Sequence, residues 1–223
     1  SGQDLAGKWG YNFSKYVPSD WSAAPSNPNR PKYSEGFFMN TTQPYIKNED
    51  MKVSPGITSS EYQPNEPIAA GKRKSTTSYA YNGFLSAYSS TAVVAPAELP
   101  LITALNGNIG GKGWGLANPA LICPQPNVAC TYVPYKAGCS NTVNGEQGSV
   151  YLTRDNGSMW LYSRGQNWGF ADSHAKFRPL GRSATSDYKT DPLTNYDTTG
   201  RAGNAWWDGC HSWLFRPDYD FSR

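Results

Sequence analysis

Apolar and polar residues alternate in short stretches separated by turn signals. Thr76 to Tyr88, "TTSYAYNGFLSAY", alternates until it reaches Asn82-Gly83, a strong turn dipeptide. "LPLIT" (Leu99 to Thr103) has the continuous apolar character of a short buried strand. "GSVYLTRDNGSMWLYS" (Gly148 to Ser163) reads as a hairpin around Asp155-Asn156-Gly157. "NWGFADSHAKFRPLG" (Asn167 to Gly181) reads as a second hairpin, with a two-residue turn at Asp172-Ser173. That pairing sets Trp168 opposite Phe177 and Phe170 opposite Ala175 on one face. Asn167, Gly169, His174, Lys176 and Arg178 fall on the other, so His174 is expected in solvent beside the turn. Ser173 is expected at positive φ.

Helical signals are brief. Thr42 to Gly56 begins with one turn of helix that ends before Pro55, and "SSTAVVAPAE" holds another short turn. "PSNPNRPKY" (Pro25 to Tyr33) is loop-like in composition. Ile57 to Lys74 is mostly polar and ends in "KRK", read as a solvated turn. "NGNIGGKGWG" (Asn106 to Gly115) is similar to a phosphate-binding loop but is one residue short, and Gly113 follows Lys112 where Ser or Thr is needed. A flexible surface loop is expected there.

The composition agrees with short strands and rigid loops. The 223 residues include 22 Gly, 17 Pro, 15 Tyr and 8 Trp, and the aromatics can supply a core despite a mean hydropathy of −0.63. A net charge of +3 is too small to argue for a nucleic-acid partner. The most apolar stretch, Ala92 to Leu105, is broken by Pro96, Glu98 and Pro100 and falls short of the ~20 residues a membrane span needs. No signal peptide opens the chain, which a removed leader or a tag scar would explain.

Four cysteines, Cys123, Cys130, Cys139 and Cys210, lack a C-x-x-C pair, which argues against zinc. Their even number in this composition fits disulfides and an oxidising compartment. Three connectivities are open; we favour Cys123–Cys130 closing "CPQPNVAC", with Cys139–Cys210 pinning the C-terminal region.

Candidate chemistry is sparse. Asp172-Ser173-His174 are adjacent, whereas triad residues meet from distant parts of a chain, and Ser173 lacks a G-x-S-x-G setting. No separated nucleophile–base set, metal-ligand cluster or carboxylate pair is identifiable, so the expected function is not enzymatic. Trp206, Trp207 and Trp213 in "NAWWDGCHSWLF" would stack on a glycan or a partner protein if exposed; burial as a second apolar centre is favoured. Asp191, Asn195 and Asp197 in "DPLTNYDTTG" are oxygen ligands of the kind calcium takes, set against a plain surface loop with Asx turns. N-glycosylation sequons occur at Asn12, Asn40 and Asn156.

Four stretches in order, "QPYIKNEDMKVSPG", "TSYAYNGFLSAYSSTAVVAPAELPLI", "GQNWGFADSHAKFRPLG" and "WWDGCHSWLFRPDY", resemble bacterial prepilin-like proteins. Their shared motif is a histidine followed ten residues on by Asp-Gly, and they are relatives of the type II secretion pseudopilins. The resemblance covers about residues 42–221. Here Asp172 stands at the motif's Asp, Ser173 replaces its Gly, Tyr162 its His, and Ser54 the usual cysteine of "CPSD".

The resemblance implies an α+β, mainly-β, pilin-like head with an antiparallel sheet and extensive loops, most of its N-terminal helix lying outside this chain. It implies one domain over 1–223: an irregular segment 1–41, a sheet-containing core 42–181, and an aromatic, Asp-rich segment 182–223. It further implies a structural subunit of an extracellular or periplasmic filament or secretion assembly. Such a subunit self-associates through the N-terminal helix and sits in the membrane before assembly. It also raises calcium as a structural ion. The alternative is a surface binding module for a glycan or protein on the same scaffold.

Overall fold

Prolines, glycines and β-formers alternate too quickly for long elements, and the chain folds accordingly into short strands. A computed structural model describes residues 14–105, 108–124, 130–148, 162, 165–179 and 208–221. Its elements are β1 (Ser14–Tyr16), α1 (Arg30–Ser34), α2 (Phe38–Thr41), β2 (Thr58–Glu61), β3 (Thr76–Thr77), β4 (Tyr79–Tyr81), β5 (Pro100–Ala104), β6 (Ile109–Lys112), β7 (Trp114–Leu116), β8 (Gly165–Phe170) and β9 (Ala175–Pro179). They form an antiparallel pair β1-β7, a mixed sheet β2-β6-β3 with β2 parallel to β6, and an antiparallel sheet β4-β5-β8-β9. The class is mainly β, as expected. No helix among the described residues is long and apolar enough to cross a membrane.

Several local expectations hold. Asn82 caps a 3-10 turn, Gly83–Leu85, by accepting the Phe84 N–H on its side chain. "LPLIT" becomes β5, and Ser90–Ala92 forms the short turn expected there. Thr42 to Gly56 holds two 3-10 turns, Gln43–Tyr45 and Glu49–Lys52. The hairpin expected around Asp155-Asn156-Gly157 lies outside the described residues.

Other expectations are corrected. The loop-like "PSNPNRPKY" contains α1, where Pro31 in the first turn presets the helical φ. Arg30 is buried and places its guanidinium over the rings of Tyr16 and Tyr62. The "KRK" run is not wholly solvated. Lys72 and Arg73 are exposed, but the ammonium of Lys74 is buried 4.3 Å from the Trp21 ring. It donates to Glu61 and to the carbonyls of Tyr62 and Gln63, which satisfies the buried charge.

The expected flexible loop at 106–115 instead supplies β6 and most of β7. Its glycines permit close contact: a Cβ on Gly111 would stand 2.4 Å from the Trp114 carbonyl, and one on Gly110 2.6 Å from Ile57. The Gly113 carbonyl then accepts the Trp21 indole N–H at 2.7 Å, tying β7 to the fully buried Tyr16–Trp21 centre. Asn40 braces the same region, donating from one amide to the carbonyls of Tyr16 and Ser34 at 2.8 and 2.7 Å.

The β8–β9 hairpin forms with a register one residue away from expectation: Trp168 pairs with Lys176 and Asn167 with Phe177. Ser173 N–H donates to Phe170 O and Phe170 N–H to His174 O, so three residues, not two, form the loop. Ser173 supplies the expected positive φ, 77°. A slip of one residue reverses the faces of β9. Phe177 therefore points outward and is 42% exposed, while Arg178 lies on the Trp168 and Phe170 rings at 5.7 and 5.0 Å. Its charge covers the aromatic pair that Phe177 was expected to cover. Trp168 and Phe170 are buried as expected.

Candidate functional site

Both favoured disulfides form. Cys123–Cys130 closes a short loop, and Cys139–Cys210 joins positions 71 residues apart. Such bridges fit an oxidising, non-cytoplasmic compartment. The second bridge ends at Cys210, beside a polar cluster of Asp208, Arg216, Asp218 and Tyr132. Asp208 Oδ1 accepts the backbone N–H groups of Cys210 and His211, both at 2.8 Å, and Oδ2 accepts from Arg216 at 2.8 Å. Arg216 grips Asp218 with two bonds of 3.1 and 3.0 Å, and the Tyr132 hydroxyl donates to Asp218 at 2.6 Å. Burial pushes the Asp218 carboxyl up, but the Arg216 and Tyr132 hydrogen bonds and the Arg216 charge outweigh it and hold it below the usual carboxylate range. Burial likewise opposes the Arg216 charge, and its partners, Asp218 first, more than restore it.

His211 is fully buried between the rings of Phe84 and Tyr132, at centroid distances of 5.2 and 4.7 Å. Its Nε2–H donates to Gly145 O at 3.1 Å, which leaves Nδ1 as a buried acceptor with no hydrogen-bond partner. Burial lowers its pKa from the usual 6.5, so it is neutral at pH 7. Asp208, Cys210 and His211 offer ligand atoms within 4.8 Å of one another. With Cys210 in a disulfide, its sulfur is neither a thiolate ligand nor a nucleophile. The cluster is a brace: Arg216 links the carboxylates of Asp208 and Asp218, and Asp208 holds the backbone at Cys210, where the disulfide ends, and at His211.

The Asp172-Ser173-His174 stretch sits at the exposed hairpin tip. His174 is exposed as expected, but its ring lies flat on Phe170, 4.4 Å away and 3° from parallel, on the face the expected register denied it. Asp172 Oδ1 accepts the His174 N–H and meets His174 Nδ1 at 2.6 Å. These bonds keep Asp172 below the ordinary carboxylate range. The pair closes an Asx-type turn.

Asp191, Asn195, Asp197, Trp206 and Trp207 lie outside the described residues. Trp213 opens a 3-10 turn, Trp213–Phe215, whose Leu214 and Phe215 are buried. Of the sequons, Asn40 spends its amide inside the fold; Asn12 and Asn156 lie outside the described residues.

Sequence reasoning missed the Tyr132–Arg216–Asp218 network and a cavity walled by Phe37, Phe38 and Tyr81. The first joins residues up to 86 apart and has no local signature. The second had one signal, the adjacent Phe37-Phe38 pair in a polar stretch. No family model, curated protein or solved structure matches this chain.

Proposed function

We propose that this chain is the head of a pilin-like structural subunit that works by assembly outside the cytoplasm. The supporting observation is the convergence of the four prepilin-like stretches. Ser78 of the second joins the first, donating its N–H to Lys52 O and accepting the Ser54 N–H. β5 of the second pairs with β8 of the third, and the Ala171 N–H reaches Leu99 O. The buried amide of Asn82 bridges Pro100 O and Phe215 O, each at 2.9 Å, and so ties the second to the fourth. Trp168 of the third packs on Phe215 of the fourth, 5.7 Å between centroids. Stretches dispersed over the chain are thus bonded to one another around an antiparallel sheet, which supports reading them as parts of one head.

In this reading an N-terminal helix carries self-association, and the full-length subunit is membrane-inserted before it assembles. Calcium held by the side-chain oxygens of Asp191, Asn195 and Asp197 is a structural ion of the same head. Antibodies against the chain should label filaments sheared from the source cells or co-purify with a membrane-bound secretion assembly. Recovery solely as a free monomer, with full-length protein never entering a membrane fraction, would sink the reading.

A further inference from the structure

His211 Nδ1 is the loose end of the brace. It is a fully buried acceptor without a hydrogen-bond partner, and a bound ion is one of the things that satisfy such an atom. The other ring nitrogen is already arranged as in a metal-bound histidine. Its Nε2–H donates to Gly145 O at 3.1 Å, and metal-ligating histidines commonly give their second N–H to a backbone carbonyl, which fixes the tautomer and leaves the first nitrogen free. Burial favours the neutral ring, the form that binds metals.

Partners for an ion stand in the same turn. A carboxylate oxygen of Asp208, the sulfur of Cys210 and a ring nitrogen of His211 lie within 4.8 Å of one another. Asp208 is oriented in advance, because its Oδ1 accepts the backbone N–H groups of Cys210 and His211, both at 2.8 Å. Zinc bonds of about 2.0–2.3 Å set tetrahedral ligands about 3.3–3.8 Å apart, so closing the site needs a contraction of at most about 1.5 Å. Cys139 brings a fourth group: its sulfur is bonded to that of Cys210 and lies 3.3 Å from Gly209 O. The rule that argues against zinc in the sequence rests on local spacing, whereas the fold carries Cys139 to a turn 71 residues away.

The bridge itself withholds the two sulfurs. Cys139 is half-buried, which gives a reductant access to it. A dithiol passes two electrons to the bridge and leaves as a cyclic disulfide, and its two protons end on Cys139 and Cys210. Zinc then displaces both thiol protons into solvent. Two thiolates and one carboxylate exceed the charge of Zn²⁺ by one, and Arg216, 2.8 Å from Asp208 Oδ2, is the adjacent cation. Sulfur and nitrogen ligands suit zinc; calcium takes oxygen.

We infer that the Asp208–His211 turn is a zinc site masked by the Cys139–Cys210 disulfide: reduction frees both cysteines to hold Zn²⁺ with His211 and Asp208, and reoxidation expels it. The reduced form belongs to a chain that has not yet reached an oxidising compartment. The inference does not rest on the assembly reading, which needs no metal at these residues.

The full chain, reduced with dithiothreitol and freed of it without air, is titrated with Zn²⁺ and Co²⁺. The Cys123→Ala/Cys130→Ala chain runs beside it, so that thiols of the short bridge cannot supply the signal. Both reduced chains should retain zinc through gel filtration, and the unreduced chain should not. X-ray absorption of the zinc-loaded Cys123→Ala/Cys130→Ala chain should show sulfur together with nitrogen or oxygen ligands. Cobalt should give a thiolate charge-transfer band and the strong visible absorption of a tetrahedral site. His211→Gln should weaken zinc binding by about tenfold or more. Equal retention by oxidised and reduced chains, no retention after reduction, a ligand shell without sulfur or of sulfur alone, or unchanged affinity in His211→Gln would each overturn the proposal. The ligand shell decides it even if His211→Gln fails to fold. A reduced chain that unfolds and does not refold on adding zinc overturns it as well.

Discussion

Replacing both partners of a disulfide by alanine frees the unfolded chain, and the two bridges differ tenfold in the loop they close. The cysteines are 71 residues apart in Cys139–Cys210 and 7 apart in Cys123–Cys130. In the loop-closure account, a bridge removes about 2.1 cal/mol/K plus 1.5R ln n from the entropy of the unfolded chain. At 25 °C this gives about 4.4 kcal/mol for the long bridge and about 2.4 kcal/mol for the short one. Packing losses work against this difference, because Cys123 and Cys130 are both buried, whereas in the long bridge Cys210 is buried and Cys139 only half-buried; the loop term should still dominate. The Cys210 N–H that donates to the Asp208 carboxylate belongs to the backbone, so the donor survives the change. For a chain of this size each kcal/mol moves the midpoint by about 2–4 °C. Cys139→Ala/Cys210→Ala should therefore melt about 9–18 °C lower and Cys123→Ala/Cys130→Ala about 5–10 °C lower. Urea unfolding followed by tryptophan fluorescence should give the same order. An equal loss in both variants, or a larger loss for the short bridge, would refute the entropic argument.

Further outcomes are expected at four places. Ser173→Gly should be neutral or stabilising by roughly 0.5–1 kcal/mol, since glycine adopts the φ of 77° without strain; a clear loss in urea unfolding would contradict the turn geometry. Asn82→Ala removes a capping acceptor and two buried donor bonds and should cost about 3 kcal/mol by chemical denaturation, whereas a loss below about 1 kcal/mol would show that the amide is not a tie. His211 has a folded pKa below its unfolded 6.5, because burial disfavours its charged form, so the unfolded state takes up the proton first; stability should be complete above about pH 6.5 and decline as the pH falls from there, and His211→Gln should flatten that decline below about pH 6.5 in urea unfolding. Calcium at a hundredfold excess over Kd should stabilise the head by ~2.7 kcal/mol, and Asp197→Ala should remove that effect; a melting midpoint indifferent to calcium and chelator would end the calcium reading.

The strands of the central sheet were legible because their signals are local: the Asn82-Gly83 turn, the apolar "LPLIT" run and the Trp168/Phe170 alternation each lie within a few residues. The β8–β9 register was not, because Asp172-Ser173 suits both a two-residue turn and the end of a three-residue loop. The choice fell to the stacking of His174 on Phe170 and of Arg178 on both inner rings. The strands at 109–116 escaped notice for a related reason. Glycine carries no face of its own, and these glycines are specified by what lies against them, Ile57 and Trp114. Lys74 read as solvated because its three oxygen partners sit more than ten residues away. The cavity walled by Phe37, Phe38 and Tyr81 draws on four separate parts of the chain, so composition announced its rings but not their meeting place.

Asn40 makes the protein sensitive to where it is produced. It belongs to the sequon Asn40-Thr41-Thr42, and in the folded chain its amide nitrogen points both protons at the carbonyls of Tyr16 and Ser34. A sugar attached there takes one of those protons and must leave through a place where β1 meets α1. In a eukaryotic secretory pathway, oligosaccharide transfer and closure of the β1–α1 corner therefore compete for one nitrogen. Chains that fold first are closed to the transferase, and chains modified first lose a tie between β1 and the helices. One polypeptide would then leave such a host as two populations of different stability, a division that a bacterial host does not impose.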